Sequence, residues 1–214
     1  MSKPSVAVLG SGQVAQVLAR GFKKHGYPVC MGNRDAAKLE AFSRETGIPA
    51  HPSAEAVRAA EIVVLAVKGT AAESVVSTLS AHLGGRVVLD AVNPIADVPP
   101  QNGVLRYFTG PNESLMERLQ KLAPEARFVK AFNSVGNAFM VDPAFPGGRP
   151  TMFLAGNDPG AKAAAAAILE AFGWDAEDMG PAEAARPIEA LCQLWCAPGF
   201  LRNQWTHAFK LLKL

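Results

Sequence analysis

The stretch that most constrains the fold is residues 6–34, VAVLGSGQVAQVLARGFKKHGYPVCMGNR. An apolar run, Val6–Leu9, leads into a turn of small residues, and an amphipathic helical pattern follows at once. A second strand pattern, Pro28–Met31, ends on Gly32-Asn33-Arg34. Together these patterns predict a βαβ unit whose first turn reads G-x-G-x-x-A. Such a turn is typical of sites that hold the pyrophosphate of a dinucleotide.

Each position of the turn has a physical reason for its residue type. Gly10 permits the tight turn, and Gly12 keeps a Cβ away from approaching phosphates. Ala15 is small enough for helix and strand to pack closely. The free backbone N–H groups and the helix dipole favour an anion here. The predicted pyrophosphate contacts are Gly10, Ser11, Gly12, Gln13, Val14 and Ala15. A purely structural turn is the alternative, which the flanking strands and helix disfavour.

Strand and helix patterns alternate at least five times before about residue 180. Further apolar strand-like runs occupy residues 61–67, 86–91, 127–132 and 151–155. Continuous apolar strands separated by amphipathic helices are typical of parallel sheets that are covered on both faces. We therefore predict an α/β fold with a Rossmann-type, doubly wound, mainly parallel sheet and right-handed crossovers.

The last part of the chain has a different pattern. Two apolar helical faces, residues 188–195 and 201–212, are separated by Pro198-Gly199. We expect a Rossmann-type domain over residues 1–180 and a small C-terminal helical cap over residues 181–214. The cap carries Trp195, Trp205 and Phe209, so it either covers the ligand site or forms a subunit contact. Aromatic enrichment suits an interface, and a homodimer is expected.

Ligands of doubly wound sheets bind beyond the carboxyl ends of the strands. The site should therefore combine the turn with the segments that follow four other strands. The candidates there are Asn33, Arg34, Lys38, Ala66, Val67, Lys68, Val92, Asn93, Pro94, Asn133, Ser134, Val135 and Asn137. Lys130 and Asn133 end one of these strands. A role in placing a nicotinamide carboxamide and a purely structural hydrogen-bonding role are equally good interpretations of the pair.

The end of the second strand distinguishes the two nicotinamide dinucleotides. NAD-specific sites usually place Asp or Glu here to accept from the ribose 2′-hydroxyl. This chain has the neutral Asn33 and then Arg34, whose guanidinium can bind a phosphate, with Lys38 one helical turn further on. The pattern predicts NADP(H) as the cofactor. The alternative is that Arg34 and Lys38 are solvated and bind nothing.

Composition excludes several classes of partner. The formal net charge of +2 over 214 residues is too small to indicate a nucleic-acid or membrane partner. We find no cationic leader with an apolar core and no apolar run long enough for a membrane span. A cytoplasmic protein is therefore expected. No Cys-x-x-Cys or His-Glu spacing predicts a metal, and no Ser-Tyr-x-x-x-Lys arrangement predicts a short-chain reductase.

Several longer blocks resemble one known family. They are VAVLGSGQVAQVLARGF with MGNRDAAKL, FVKAFNSVGNAFMVDP, TMFLAGNDPGAK, and DMGPAEAARPIEAL with a final FKLLK. In this order they resemble the NADPH-dependent reductases of coenzyme F420, a 5-deazaflavin, and their bacterial relatives. The oxidoreductase domain of the STEAP metalloreductases, which reduce a flavin with NADPH, is similar too.

The resemblance implies direct hydride transfer between the nicotinamide and a deazaflavin or flavin, with no dedicated acid–base residue. By position, Ser11, Gln13 and Val14 would contact the pyrophosphate through their backbones, and Asn33, Arg34 and Lys38 would hold the 2′-phosphate. The segment 133–137 would seat the nicotinamide. Residues 133–136 and 197–206 depart from the deazaflavin enzymes. The acceptor thus stays open among a deazaflavin, a flavin, a ferric chelate and another small molecule.

Two other functions remain possible. Imine and β-hydroxyacid reductases share the turn, but they are expected to contain a larger helical domain. The hydroxyacid class is also expected to contain a catalytic lysine, and the short C-terminal part of this chain disfavours both classes. A dinucleotide-binding sensor without turnover is the non-enzymatic alternative. An open cleft beside the nicotinamide would favour an enzyme, and an occluded one would favour a sensor.

Overall fold

The computed structural model describes residues 3–214, which form one central sheet of eight strands. In chain order the strands are β1 (Val6–Leu9), β2 (Val29–Asn33), β3 (Ala50–Pro52), β4 (Ile62–Leu65), β5 (Val87–Asp90), β6 (Arg127–Lys130), β7 (Thr151–Gly156) and β8 (Asp175–Asp178). Their spatial order is β3-β2-β1-β4-β5-β6-β7-β8. All neighbouring strands are parallel except β6 and β7, which are antiparallel.

Helices cover both faces of this sheet. They are α1 (Gln13–Lys24), α2 (Glu40–Thr46), α3 (Ser53–Arg58), α4 (Gly69–Leu83), α5 (Leu115–Leu122), α6 (Pro159–Ala171) and α7 (Ala185–Arg202). Along β4 the side chains alternate between two core clusters. Ile62 and Val64 pack with α1 and α6, whereas Val63 and Leu65 pack with α4 and α5. This double burial explains why β4 is apolar at every position. The predicted doubly wound Rossmann-type fold is confirmed.

The two outermost strands were not predicted from the sequence. β3 has three residues and ends at Pro52, which has no N–H for a further ladder bond. β8 reads DAED, and its side chains are exposed or half-buried. Neither segment carries the apolar run that marks the inner strands, because each lies at an edge of the sheet. The backbone pairing with β2 and with β7, rather than side-chain burial, defines them.

The C-terminal part contains one helix where two were expected. α7 continues through Pro198 and ends at Asn203, whose φ of 53° is left-handed. The N–H groups of Asn203 and Gln204 donate back to the Gly199 and Pro198 carbonyls. The expected helix over 201–212 is therefore wrong beyond Arg202, since the described chain from residue 203 onward has no regular structure.

The apolar residues of this final segment are packed all the same. The indole of Trp195 donates to the His207 carbonyl at 2.8 Å, and the Thr151 N–H donates to the Phe209 carbonyl at 2.8 Å. Trp195 is buried, and Trp205 and Phe209 pack against the same core cluster. The irregular segment thus lies along α7 and β7. The apolar spacing in the sequence identified the buried residues but not the backbone conformation that buries them.

No helix within residues 3–214 is long and apolar enough to cross a bilayer.

The junction of α5 with α7 gives a prediction for stability against pH. Glu117 forms a capping box with Ser114, and Arg186 at the start of α7 donates to its two carboxylate oxygens at 2.9 and 2.6 Å. The hydrogen bonds from Arg186 are the main reason that the pKa of Glu117 falls from 4.5 to about 2. A lowered folded-state pKa stabilises the fold above pH 4.5, and the contribution is lost as the pH falls toward 2.

We expect Arg186→Gln to lower the free energy of unfolding by about 1–2 kcal/mol at pH 7, since a charge-assisted pair in partial contact with water is lost. At pH 3.5 the difference in the free energy of unfolding between variant and wild type should be clearly smaller than at pH 7. Urea denaturation at both pH values measures it. Lys213→Gln, which removes the exposed ion pair with Glu177, is the control and should change stability little at either pH. A difference that grows on acidification would contradict the assignment.

Candidate cofactor site

A cleft of about 780 Å³ opens at the carboxyl edge of the sheet. It lies over β1 and β4, where the strand order reverses and doubly wound sheets bind their ligands. Fourteen of the residues proposed from the sequence line it: Gly10, Ser11, Gly12, Gln13, Val14, Asn33, Arg34, Lys38, Ala66, Val67, Lys68, Val92, Asn93 and Asn137. Segments from five strand ends therefore meet at one cleft. The contacts of each residue with a cofactor stay a prediction.

The other five proposed residues lie behind the walls of the cleft. Ala15 is fully buried under the turn, where only a small side chain fits. The remaining four are also buried: Pro94, Asn133, Ser134 and Val135. The Ser134 hydroxyl is directed to the Met152 sulfur at 3.8 Å, away from the cleft. We infer that these residues support the lining rather than form it.

The structure adds a helix face that the sequence analysis did not identify. One face of α4 lines the cleft with Ala71, Ser74, Val75, Thr78 and Leu79. Their spacing of three and four residues marks one face of a helix, and its mixture of small, hydroxyl and apolar groups was the available signal. Ile95 and Asp97 also line the cleft. They lie in an irregular loop that has no periodicity to predict their position.

The glycine-rich turn presents backbone donors to the cleft. Gly10 has a φ of +132°, and a Cβ there would collide with the Ala66 carbonyl oxygen. Gly12 is the N-cap of α1, and no side chain caps the N–H groups of the first helical turn. No atom lies within 4 Å of the position that a Cβ of Gly12 would take. Open space in front of uncapped N–H groups at the positive end of a helix is suited to an anion.

One end of the cleft carries two cations. Arg34 and Lys38 line it, and neither forms an ion pair with another residue in the described part of the chain. The Asn33 amide oxygen accepts from the Asp35 N–H at 3.0 Å, and the Asp35 carboxylate accepts from the Ala37 N–H. The nearby acidic group is thus used to cap a short helical turn. This end can bind an anion such as a 2′-phosphate.

A third lysine at the cleft is paired. Lys68, the N-cap residue of α4, lies 2.6 Å from an Asp97 carboxylate oxygen, and the Thr70 hydroxyl donates to the other oxygen at 3.3 Å. Hydrogen bonding from Lys68 is the main cause of the lowered pKa of Asp97. Both side chains are largely exposed. Water therefore screens the attraction between Lys68 and Asp97, so this ion pair at the rim of the cleft is weak.

Beneath the cleft lies a buried network of three charges. The Lys130 ammonium is completely buried and lies 2.7 Å from the Asp90 carboxylate and 2.8 Å from the Glu189 carboxylate of α7. It also donates to the Val92 carbonyl at 2.7 Å. Burial disfavours the charge of Lys130, but the two carboxylates outweigh this effect and raise its pKa. These contacts favour the structural interpretation of Lys130, because its buried ammonium binds Asp90, Glu189 and Val92 beneath the residues that line the cleft.

Glu189, the second carboxylate of this network, is also stabilised by backbone N–H groups. Glu189 accepts hydrogen bonds from the N–H groups of Leu115 and Met116, which begin α5. The network has two carboxylates and only one ammonium, and the positive end of α5 stabilises the additional negative charge. Burial is the main cause of the raised pKa of Asp90, although Lys130 opposes it. Glu189 was not predicted from the sequence. Its signal was an acidic residue that directly follows Ile188, the first residue of the predicted apolar face in α7.

No group of three or more His, Cys, Asp or Glu side chains suited to a metal ion occurs among residues 3–214.

Comparisons with known proteins agree with this geometry. Residues 5–94 match the family described as NADP oxidoreductase, coenzyme F420-dependent. Metalloreductase STEAP3 of Rattus norvegicus is 28% identical over 188 residues, which cover 88% of this chain and 36% of that protein. The chain thus spans little more than a third of the length of this curated relative.

Two solved structures extend the likeness to the whole chain. One is a protein of Arthrobacter sp. FB24, provisionally described as an F420-dependent NADP reductase. It has a TM-score of 0.89 at 29% identity, over 98% of this chain and 100% of that one. A reductive aminase of Aspergillus terreus in complex with NADPH has a TM-score of 0.66 at 19% identity, over 94% and 63% of the two chains. The latter shows a shared fold alone. Residues 5–94 thus carry the sequence pattern of the coenzyme F420-dependent NADP oxidoreductases, and the chain is similar to STEAP3 over 188 residues and to the Arthrobacter protein over nearly its whole length.

Proposed function

We propose that this protein transfers a hydride directly between NADP(H) and a deazaflavin, a flavin or another small acceptor. The observation that carries the proposal is the combination of two anion sites in one cleft. Uncapped N–H groups face open space at Gly12, and two unpaired cations lie at the end of β2. A dinucleotide with a pyrophosphate and a 2′-phosphate satisfies both sites at once.

The topology supports one direction for the cofactor. The adenosine half would lie toward Arg34 and Lys38, and the pyrophosphate would lie at the turn after β1. The nicotinamide half would then extend over β4 and β5 toward Asn93 and Asn137. Within the described residues, the ionisable side chains that line the cleft are Arg34, Lys38, Lys68 and Asp97.

A direct hydride transfer needs no general acid or base from this lining. A bound nicotinamide would supply the hydride chemistry, and the residues of the cleft would orient it toward the acceptor. The groups available for this are backbone amides, hydroxyl groups and amide side chains. Its lining therefore supports a transfer between two ring systems better than a reaction that needs a proton donor.

The cofactor preference can be tested at Arg34. We expect Arg34→Ala to raise the Kd for NADPH by about 10- to 100-fold, because a charged hydrogen bond to the 2′-phosphate is lost. The Kd for NADH, which has no 2′-phosphate, should change little. Isothermal titration of both cofactors measures this. Arg44→Ala is the matched control, since Arg44 is exposed on α2 and does not line the cleft. Equal affinities of the wild type for NADPH and NADH would contradict the assignment.

The acceptor is tested by following NADPH oxidation spectroscopically with a panel of compounds. The panel contains coenzyme F420, FMN, riboflavin, a ferric chelate and a cyclic imine. Turnover that is fastest with a deazaflavin or flavin is the expected result. Turnover with the imine alone would favour the imine-reductase alternative. Tight NADPH binding without turnover of any acceptor would favour a sensor.

A further inference from the structure

The nicotinamide end of the cleft contains an asparagine that the protein itself holds in place. Asn93 lines the cleft just after β5, on the side away from Arg34. Its side chain donates to the Asn133 backbone carbonyl at 2.9 Å and accepts from the Asn133 side-chain N–H at 3.2 Å. The two residues thus form a reciprocal pair. Rotation of the Asn93 amide would break both hydrogen bonds.

Asn133 connects this pair to α7. Its side-chain amide also donates to the Ile188 carbonyl at 2.8 Å, so both amide hydrogens are used. Neither the Ile188 carbonyl nor the Asn93 amide oxygen can donate, so the Asn133 amide has one permitted orientation. Asn133 is 3% exposed and does not itself line the cleft. Any influence on a bound cofactor must therefore pass through Asn93.

The structure around Asn133 contains several energetically unfavourable features. The amide oxygen of Asn133 is buried and has no hydrogen-bond partner among the residues that the structure describes. The preceding residue, Phe132, is fully buried with a φ of 62°, which is strained for a bulky side chain. Gly136 lies so close to the Trp195 indole that a Cβ would come within 2.5 Å of it. Strain and unmet polar groups of this kind are concentrated at functional sites.

The neighbouring residue of the lining is fixed in the same manner. The N–H of Val92 donates to the Asp90 carboxylate at 2.9 Å, and its carbonyl accepts from Lys130 at 2.7 Å. Lys130 is held in turn by Glu189 of α7. Val92 and Asn93, at the nicotinamide end, are therefore both oriented by buried side chains that form contacts with α7. Among residues 3–214, Arg34 and Lys38 take part in no such network of buried charges.

We propose that Asn133 is a positioning residue for the nicotinamide half of the cofactor, acting by fixing the side chain of Asn93. This inference rests on the proposed function. It assigns a separate support to each half of the site: two cations of the lining hold the adenosine half, and an amide pair anchored to α7 orients the nicotinamide half. A variant at Asn133 should therefore affect one half of the cofactor and spare the other.

The test compares NADPH with 2′-phospho-ADP-ribose, a fragment that lacks only the nicotinamide. We expect Asn133→Ala to raise the Kd for NADPH by about five- to twentyfold, which corresponds to the loss of one or two neutral hydrogen bonds. The Kd for the fragment should stay within about twofold of the wild-type value, since its contacts lie elsewhere. With an accepted substrate, kcat should fall as well, because the ring is less well oriented.

Two further variants make the test specific. The double variant Asn93→Ala/Asn133→Ala should bind NADPH no more weakly than Asn93→Ala alone, as expected if Asn133 acts through Asn93. Asn157→Ala is the matched control. Asn157 accepts one hydrogen bond from the Ala182 N–H just before α7, and it lies outside the cleft. It should leave both Kd values unchanged. Asn133→Ser, which supplies one hydroxyl donor in place of the amide, replaces Asn133→Ala if the latter does not fold.

The outcomes separate the inference from the proposed function. Equal weakening of NADPH and the fragment would overturn the positioning role, because it would indicate general damage to the site. Unchanged NADPH binding in Asn133→Ala would overturn it too. A wild type that binds neither NADPH nor the fragment would instead overturn the proposed function. Selective weakening of NADPH in Asn133→Ala, absent in Asn157→Ala, would support the inference.

Discussion

A Gly12→Val variant should fold like the wild type and bind NADPH at least about 100-fold more weakly. Within residues 3–214, no atom lies within 4 Å of the position of a Cβ at Gly12, and its φ of −76° and ψ of 174° are allowed for any residue. A Cβ at this position therefore clashes with none of these residues. The valine side chain would fill the space through which the first N–H groups of α1 reach the pyrophosphate. Thermal unfolding and NADPH titration measure the two effects separately.

Two other glycines serve as controls for this result. Gly110 also has open space around it and lies outside the cleft, so Gly110→Val should leave stability and binding unchanged. Gly10→Ala should instead destabilise the fold by about 3 kcal/mol or more, because the φ of +132° and the Ala66 carbonyl both exclude a Cβ. If Gly12→Val bound NADPH as the wild type does, the pyrophosphate could not lie at this turn.

Replacement of Lys130 by methionine should lower the free energy of unfolding by about 3–5 kcal/mol at neutral pH. Lys130→Met fills the space but leaves the carboxylates of Asp90 and Glu189 buried without their cation. The pKa of Asp90 is already raised by burial, and removal of Lys130 would raise it further. Since protonation of Asp90 relieves the unpaired charge, the loss relative to wild type should become smaller as the pH falls from 7 to 5.

Chemical denaturation at the two pH values tests this second prediction. Lys162→Met is the control. Lys162 pairs with Asp178, whose side chain is half exposed, so a loss of under about 1 kcal/mol is expected. A loss for Lys130→Met as small as that of the control would mean that the buried network contributes little to stability. A loss that increases on acidification would contradict the charge assignment.

The parts of the fold that the sequence predicted well are those in which local chemistry determines the structure. The turn at Gly10–Ala15 needs particular residue types at particular positions, whatever lies around it. The doubly wound sheet follows from apolar strands alternating with amphipathic helices. The position of Arg34 follows from its place at the end of β2. Each inference used neighbours along the chain.

The features that could not be predicted depend on partners far away in the sequence. Asn133 follows a buried strand, as cleft residues do, but its orientation is set by Ile188 and Asn93. Segment 203–214 has helical apolar spacing, yet hydrogen bonds to Trp195 and Thr151 hold it in an irregular conformation. β8 has no apolar pattern because its pairing with β7 is enough to define it. Local periodicity carries no information about such contacts.

The hydrogen bond from Asn133 to Ile188 and the ion pair from Lys130 to Glu189 have a consequence for synthesis of the protein. During translation, the turn and the two cations of β2 emerge early, but the groups that orient Val92 and Asn93 wait for residues 188 and 189. Domains usually begin to fold from the N-terminal side as the chain is made. The turn and the end of β2 can therefore form before the buried contacts that orient Val92 and Asn93, because those contacts require residues 188 and 189.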